Sequence, residues 1–213
     1  MTPQDASIYA REICGLAPVI PVLVVDEVAH AVPLAEALVA GGLPVLEVTL
    51  RTPAALDVIR AMKDVTGGVV GAGTLLTPAD VKAAKAAGAV FGVSPGVTED
   101  LAAACEAEDL PLLGGVATVT EAMRMLARGY DVMKFFPAEA NGGAPALKSF
   151  AGPLPQAHFC PTGGVTLKNA PDYLSLPNVL CVGGSWVASK ALMSAGKWDE
   201  IEALAREASK LER

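Results

Sequence analysis

A regular alternation of two kinds of segment along the 213 residues is the strongest constraint on the fold. Short β-branched apolar runs, typical of strands, alternate with alanine- and leucine-rich stretches of helical period. The predicted strands are spaced 21 to 26 residues apart and begin near Val19, Val45, Val69, Val90, Pro111, Val132, His158 and Val179. These spacings leave room for a crossover helix between parallel strands, so the pattern indicates repeated βαβ units.

Eight such units favour a closed barrel over an open sheet. No GxGxxG follows the first predicted strand, which argues against a dinucleotide-binding sheet. A further helix is predicted before Leu16, and an amphipathic helix is predicted from Trp198 onward. Several helix ends are marked by threonine N-caps or by terminal glycines: Thr77, Thr98, Thr118, Gly41, Gly88 and Gly129. The sequence therefore predicts one α/β domain over residues 1–213, a (β/α)₈ TIM barrel with an extra N-terminal helix.

Composition excludes several classes of partner. The formal net charge is −7, and no cluster of lysine or arginine occurs, so nucleic-acid binding is not expected. No apolar run of membrane-spanning length and no signal-peptide pattern is present, so we expect no membrane partner and a cytoplasmic location. Charged residues make up 18% of the chain, against about 25% in an average domain. This low fraction indicates a large interior or apolar surface covered in an oligomer.

The four cysteines and two histidines show no metal-ligand spacing. We therefore expect no metal site. Buried, reduced thiols are the ordinary state of cysteines in a cytoplasmic protein. That is our expectation for Cys14, Cys105, Cys160 and Cys181.

The second predicted strand places polar side chains inside the barrel. Period-two alternation directs Glu47, Thr49 and Arg51 to the inner face. An acid and an arginine in that position are costly unless they are paired, hydrated or functional. A structural Glu–Arg pair is one interpretation, but inner barrel positions are usually branched and apolar, which favours a functional pair.

The sixth predicted strand carries Lys134 among apolar neighbours. Loss of hydration in such a strand disfavours the ammonium form and lowers the pKa of a lysine. A neutral amine is what a Schiff-base nucleophile requires. A lysine that reaches solvent, or one that only contacts an anion, is the alternative interpretation.

Paired glycines end the last two predicted strands, in Thr162-Gly163-Gly164 and in Gly183-Gly184-Ser185. Glycine lets backbone N–H groups approach an anion closely, and the loops after strands seven and eight are the usual phosphate site of these barrels. Thr74 and Pro95 end the third and fourth strands at the same face. We therefore predict a phosphate site next to the polar strand ends.

These residue types together suggest one reaction. Lys134 can condense with a ketone, Arg51 can hold a carboxylate bidentately, and Glu47 can move the proton of an alcohol whose deprotonation breaks a C–C bond. The residues thus predict an aldolase without metal or other cofactor that acts on a phosphorylated 2-keto acid. A sugar-phosphate isomerase or epimerase with Glu47 as base, and a non-catalytic sugar-phosphate-binding barrel, remain alternatives. Both leave Lys134 without a role.

Several strings resemble one known family over about Ala17 to Ala208. They are AVPLAEALVAGGLPVLEVTLRT, VGAGT, SPG, KFFPAEANGG, ALKSFAGP, FCPTGG, YLSLPNVLCVGGSW and LAREA. The chain is similar to the bacterial 2-dehydro-3-deoxy-6-phosphogluconate (KDPG) aldolases, which also act on 4-hydroxy-2-oxoglutarate. The resemblance implies a cytoplasmic homotrimer of (β/α)₈ barrels. It also implies the Entner–Doudoroff cleavage of KDPG to pyruvate and D-glyceraldehyde 3-phosphate, with no metal.

The resemblance also assigns roles by motif. It implies that Lys134 forms the Schiff base, that Glu47 transfers protons and that Arg51 binds the pyruvate carboxylate. Thr162 matches the family residue that controls stereochemistry at the new alcohol. Further substrate contacts are implied for Thr74, Pro95, Phe136, Gly163, Gly164, Gly184 and Ser185, the last four at the phosphate.

One position departs from the family pattern. After the fifth strand the family commonly has Pro-Gly, whereas this chain has Gly114-Gly115. Glycine relaxes a loop that proline would fix. The departure bears on the shape of this side of the site, and hence on the substrate range that the resemblance implies, while the catalytic assignment is unaffected.

Overall fold

Strands and helices alternate along the whole computed structural model, which describes residues 1–213. The strands are β1 (Val19–Leu23), β2 (Val45–Thr49), β3 (Val69–Gly73), β4 (Gly92–Val93), β5 (Leu112–Leu113), β6 (Gly115–Val116), β7 (Val132–Phe135), β8 (His158–Pro161) and β9 (Val182–Gly184). The helices are α1 (Pro3–Gly15), α2 (Ala31–Ala40), α3 (Ala55–Met62), α4 (Pro78–Ala87), α5 (Glu99–Ala107), α6 (Val119–Arg128), α7 (Gly143–Ala151), α8 (Ala170–Leu174), α9 (Lys190–Ser194) and α10 (Trp198–Ala208). None of the helices is both long and apolar enough to cross a bilayer.

All strand pairs are parallel, and the strands follow one another around a barrel. The ladder has a six-stranded part, in the order β5-β4-β3-β2-β1-β9, and a three-stranded part, β6-β7-β8. The fifth barrel strand is divided at Gly114, so that β5 pairs with β4 and β6 pairs with β7. Between β8 and β9 the contact is reduced to two isolated bridges, Phe159–Val179 and Thr162–Gly183. The predicted barrel is confirmed, with a ladder that is interrupted at these two places.

The predicted element boundaries agree closely with the structure. Five strands begin at the predicted residue, and β4, β5 and β9 begin one to three residues later, at Gly92, Leu112 and Val182. All three predicted threonine N-caps accept a hydrogen bond from a backbone N–H of the first helical turn.

Two of the three glycines predicted to end helices in the left-handed region do so. Gly88 has φ 104° and Gly129 has φ 111°. The prediction is wrong for Gly41, which has φ −75°. A Cβ at Gly41 would lie 2.4 Å from Cβ of Ala205, so this glycine permits the close approach of α10 to α2.

The apolar residues form two clusters, one on each side of the strands. The larger cluster lies between the strands and the surrounding helices. The smaller one fills the lower barrel interior with Ile20, Val45, Phe91 and Val132, and α1 covers it with Ala10, Ile13 and Cys14. The predicted N-terminal helix therefore closes the amino-terminal end of the barrel. The apolar side chains inside the barrel stop below the carboxyl ends of the strands. The layer at those ends contains buried polar side chains, among them Glu47 and Lys134.

All four cysteines are buried and free, as predicted. The neighbouring thiols of Cys14 and Cys160, together with burial, raise the pKa of the Cys181 thiol well above its usual value. Burial raises the pKa of Cys105 to about 12. The thiols of Cys105 and Cys181 therefore stay protonated at neutral pH and behave as small apolar side chains.

Candidate active site

The polar upper layer of the barrel is built around Lys134 and Glu47. Nζ of Lys134 on β7 donates a hydrogen bond to Oε1 of Glu47 on β2, at 3.3 Å. Lys134 is 6% exposed and Glu47 is 3% exposed. The alternation of β7 explains this placement, because Met133 and Phe135 pack outward against the helices while Lys134 faces the interior. A buried lysine and a buried carboxylate therefore meet at the barrel mouth, where an amine and a proton acceptor can act on one substrate.

A missing side chain on β3 makes room for this pair. Gly73 lies opposite Thr49 in the parallel register. A Cβ at Gly73 would lie 2.3 Å from Oε1 of Glu47. The Glu47 carboxylate thus occupies space that any other residue at position 73 would fill. Position 73 was not among the site residues predicted from the sequence, although the GAGT string contains it.

Alternation correctly predicts the inward direction of Glu47 and Thr49. Thr49 is fully buried, and its Oγ1 donates to the carbonyl of Leu23 at 2.8 Å. Arg51 lies just beyond the end of β2, is exposed and makes no ion pair. The structural Glu–Arg pair that the sequence allowed is therefore not formed. Glu47 pairs with Lys134 instead, and the guanidinium of Arg51 stays free for an anion.

Three further predicted residues follow the carboxyl ends of strands β3, β4 and β7. Thr74 directly follows β3 and has φ 63°, a left-handed conformation that is unfavourable for a residue with a branched side chain. Pro95 follows β4 and is half-buried. The ring of Phe136 has its centroid 5.2 Å from Nζ of Lys134, a cation–π distance. All three residues therefore lie at the carboxyl-terminal end of the barrel, and Phe136 is within contact distance of the lysine.

The loop after β8 carries the first predicted phosphate residues. Thr162 is 6% exposed, and its backbone bridges to Gly183. A Cβ at Gly183 would lie 2.2 Å from Oγ1 of Thr162. Gly163 and Gly164 have φ 99° and 79°, conformations that favour glycine. Backbone in these conformations can direct successive N–H groups toward an anion.

The loop after β9 lies beside the loop after β8. Ser185 is exposed, and Gly184 precedes it at the strand end. A Cβ at Gly184 would lie 1.8 Å from the indole ring of Trp186, so the ring covers this glycine. Trp186 was not predicted to belong to the site. Its place directly after Gly-Gly-Ser in a chain with only two tryptophans is the signal that could have identified it.

Gly114, where this chain differs from the family's Pro-Gly pattern, lies next to β7, the strand that carries Lys134. The carbonyl of Gly114 accepts a hydrogen bond from the backbone N–H of Lys134 at 2.9 Å. A Cβ at Gly114 would lie 2.5 Å from Cγ2 of Val97 and 2.9 Å from Cε of Met125. These two side chains therefore fill the space that a proline ring would need.

The structure brings no three His, Cys, Asp or Glu side chains together in a way that could hold a metal ion. The barrel mouth carries the amine of Lys134, the carboxylate of Glu47, the guanidinium of Arg51 and glycine-rich loops with backbone N–H groups. These groups can form an imine, transfer a proton and bind two anions.

Comparison with known proteins agrees with this chemistry. The model of the KDPG and KHG aldolase family matches residues 10–204. The KHG/KDPG aldolase of Escherichia coli (strain K12) is 52% identical over 200 residues, which cover 93% of this chain and 94% of the relative.

Two crystal structures are also similar. The 2-keto-3-deoxy-6-phosphogluconate aldolase of Zymomonas mobilis ZM4 with 3-phosphoglycerate superposes with a TM-score of 0.89 at 53% identity, covering 95% of each chain. The KDPG aldolase of Legionella pneumophila superposes with a TM-score of 0.91 at 46% identity, covering 94% of this chain and 98% of that chain. The latter contains pyruvate captured at low pH as a covalent carbinolamine intermediate.

Proposed function

Because the chain belongs to the KDPG and KHG aldolase family, we propose that it is a carbon–carbon lyase of the Schiff-base (class I) type. It cleaves 2-dehydro-3-deoxy-6-phosphogluconate to pyruvate and D-glyceraldehyde 3-phosphate, the aldolase step of the Entner–Doudoroff pathway. The observation that carries this proposal is the buried amine of Lys134, 3.3 Å from the carboxylate of Glu47. The KHG/KDPG name of the E. coli relative supports a second substrate, 4-hydroxy-2-oxoglutarate, cleaved to pyruvate and glyoxylate.

The reaction begins at Nζ of Lys134. The Lys134 ammonium passes a proton to Glu47, the freed amine adds to the C2 ketone of the substrate, and Glu47 returns the proton as the carbinolamine loses water, which gives an iminium ion. Glu47 accepts the proton of the C4 hydroxyl while the C3–C4 bond breaks, and the bond's electron pair moves into the iminium to form an enamine. The aldehyde leaves, a proton is added at C3, and water releases pyruvate and restores the amine.

The remaining predicted residues bind the two ends of the substrate. Arg51, exposed and unpaired at the end of β2, holds the carboxylate. Thr74, Pro95 and Phe136 surround the pyruvate portion, and Thr162 contacts the aldehyde carbon and sets its stereochemistry. The phosphate lies against Gly163, Gly164, Gly184 and Ser185, where left-handed glycines and adjoining backbone N–H groups support anion binding.

The proposal includes a homotrimer in the cytoplasm. Large apolar side chains such as Ile8, Leu16, Leu76 and Met123 are exposed on the single chain, between 53% and 60%. Covering such groups is what favours subunit association. Sedimentation equilibrium should give about three times the 21.7 kDa mass of one chain.

Borohydride trapping tests the covalent step. Incubation with pyruvate and borohydride should leave a reduced adduct whose mass spectrum locates it at Lys134. Lys134→Arg keeps the positive charge but cannot form the imine, so it should give no adduct and only background cleavage of KDPG. Active wild-type protein without an adduct at Lys134, or turnover retained by Lys134→Arg, would contradict the proposal.

A further inference from the structure

The segment that follows the lysine strand lies directly beside the loop after β8. The backbone N–H of Ala138 donates to the carbonyl of Thr162 at 2.8 Å, and that of Glu139 donates to the carbonyl of Gly163 at 3.0 Å. The conformation of the loop after β8 therefore depends on the segment that carries Glu139.

The side chain of Glu139 covers the next residue of the same loop. A Cβ at Gly164 would lie 2.6 Å from Cγ of Glu139, so the methylene groups of Glu139 rest on this glycine. The carboxylate Oε1 accepts a hydrogen bond from the hydroxyl of Tyr173. Glu139 thus joins Gly164 on one side to Tyr173 on the other.

Tyr173 lies on α8 and thereby anchors the side chain of Glu139 to that helix. It is 1% exposed, and burial together with the bond to Glu139 raises the pKa of its hydroxyl, so it remains a donor at neutral pH. Asn169, at the start of α8, donates from Nδ2 to the carbonyl of Gly164 at 3.2 Å. The loop is therefore attached to α8 at two points, through Asn169 and through the Glu139–Tyr173 hydrogen bond.

A carboxylate beside a phosphate site is unfavourable unless it is held in place. Backbone N–H groups bind an anion well only when their direction is fixed before the anion arrives. A free Glu139 carboxylate would repel the phosphate and compete for the same N–H groups. The hydrogen bond from the Tyr173 hydroxyl holds the Glu139 carboxylate in place, and the methylene groups of Glu139 support Gly164.

We infer that Glu139 and Tyr173 are positioning residues for the phosphate site, which hold the loop Thr162–Gly164 in the conformation that receives the substrate phosphate. This inference rests on the proposed function, because it assumes a phosphorylated substrate. It predicts that the two residues affect recognition of the phosphate and leave the chemistry at Lys134 unchanged.

Steady-state kinetics on two substrates test this role. Glu139→Ala should raise KM for KDPG about tenfold, the typical effect of losing one charge-assisted hydrogen bond, with kcat nearly constant. KM for unphosphorylated 4-hydroxy-2-oxoglutarate should stay the same. Tyr173→Phe, which keeps the buried ring, should act in the same direction. Glu139→Gln keeps an acceptor for Tyr173 and should restore most of the KDPG affinity. Asp172→Asn, an exposed acid on α8, is the control.

A binding measurement separates this inference from the proposed function. Calorimetry with sn-glycerol 3-phosphate does not depend on catalysis, and Glu139→Ala should bind it about tenfold more weakly than wild type. Equal affinity in the two proteins, or no binding by wild type, overturns the inference. So does an equal loss of kcat/KM on both substrates, which is the result expected of a general structural role. Failure of borohydride trapping at Lys134 would instead overturn the proposed function and leave the calorimetric comparison valid.

Discussion

Nζ of Lys134 and Oε1 of Glu47 lie 3.3 Å apart, although the two residues are separated by 87 positions in the chain. Both side chains are almost completely buried. Removing a lysine and a carboxylate from water is costly, and attraction between the two charges repays that cost only in part. The proposed function accounts for this costly pair, because it gives both side chains a role in chemistry at the barrel mouth.

Glu47→Gln should separate proton transfer from imine formation. The amide keeps the shape of the side chain but cannot accept the hydroxyl proton, so kcat for KDPG should fall about 10²- to 10⁴-fold. Trapping of pyruvate on Lys134 by borohydride should persist. Stopped assays of pyruvate release and mass spectrometry measure the two quantities, with Glu36→Gln on the exposed side of α2 as control. A kcat within threefold of wild type would remove Glu47 from the mechanism.

Gly73→Ala tests whether the position of the Glu47 carboxylate matters. The added methyl group would lie 2.3 Å from Oε1, so the carboxylate must move. A displacement of about 1 Å can lower the rate about a hundredfold, and we expect a loss of that size in kcat. Gly96→Ala is the matched control, because a Cβ at Gly96 meets nothing within 4 Å. If the two alanine variants have the same kcat, the space at position 73 is unimportant for catalysis.

The local features of the molecule were predictable from the sequence. Strand positions and threonine N-caps depend on residues within one or two turns, and β1, β2, β3, β7 and β8 begin where the apolar runs begin. The inward direction of Glu47 and Lys134 follows from alternation within each strand.

Features that depend on barrel closure were not predictable. From the sequence, Arg51 was a possible partner for Glu47 because both residues were predicted on the inner face of one strand. In the structure Glu47 pairs instead with Lys134, which lies on a strand across the barrel. Gly41 ends α2 as predicted but not in the left-handed region, and its close contact with α10 was not predictable because it involves a segment more than 150 residues away. Trp186 covers Gly184 within one loop and Glu139 covers Gly164 from a different segment, and neither contact leaves a periodic signal.

Ser185→Ala should affect only substrates that carry a phosphate. Ser185 is exposed at the end of β9, so its removal should leave the fold intact. Loss of one hydrogen bond to a charged group predicts an increase in KM for KDPG of about tenfold. KM for 4-hydroxy-2-oxoglutarate should not change, and Ser194→Ala, at the exposed end of α9, serves as control. Equal effects on the two substrates would argue against a phosphate contact.

Glu106 should make the stability of the fold depend on pH. Its carboxylate accepts hydrogen bonds from Nε and Nη2 of Arg128 at 2.7 and 3.0 Å and from the hydroxyl of Tyr130 at 3.2 Å. The bonds from Arg128 lower the pKa of Glu106 below its ordinary value of 4.5. The unfolded chain therefore binds more protons than the folded one in the interval between the two pKa values, and stability falls as the pH falls through it.

Glu106→Gln removes this dependence. At pH 7 the variant should be less stable than wild type by about 1.5 kcal/mol, the contribution of a hydrogen bond to a charged group. The difference should shrink as the pH falls below 4.5, because wild type then loses the same contribution by protonation. Urea unfolding at a series of pH values measures both curves, with the exposed Glu207→Gln as control. Parallel curves for wild type and Glu106→Gln across this interval would show that the Arg128 pair contributes no pH-dependent stability.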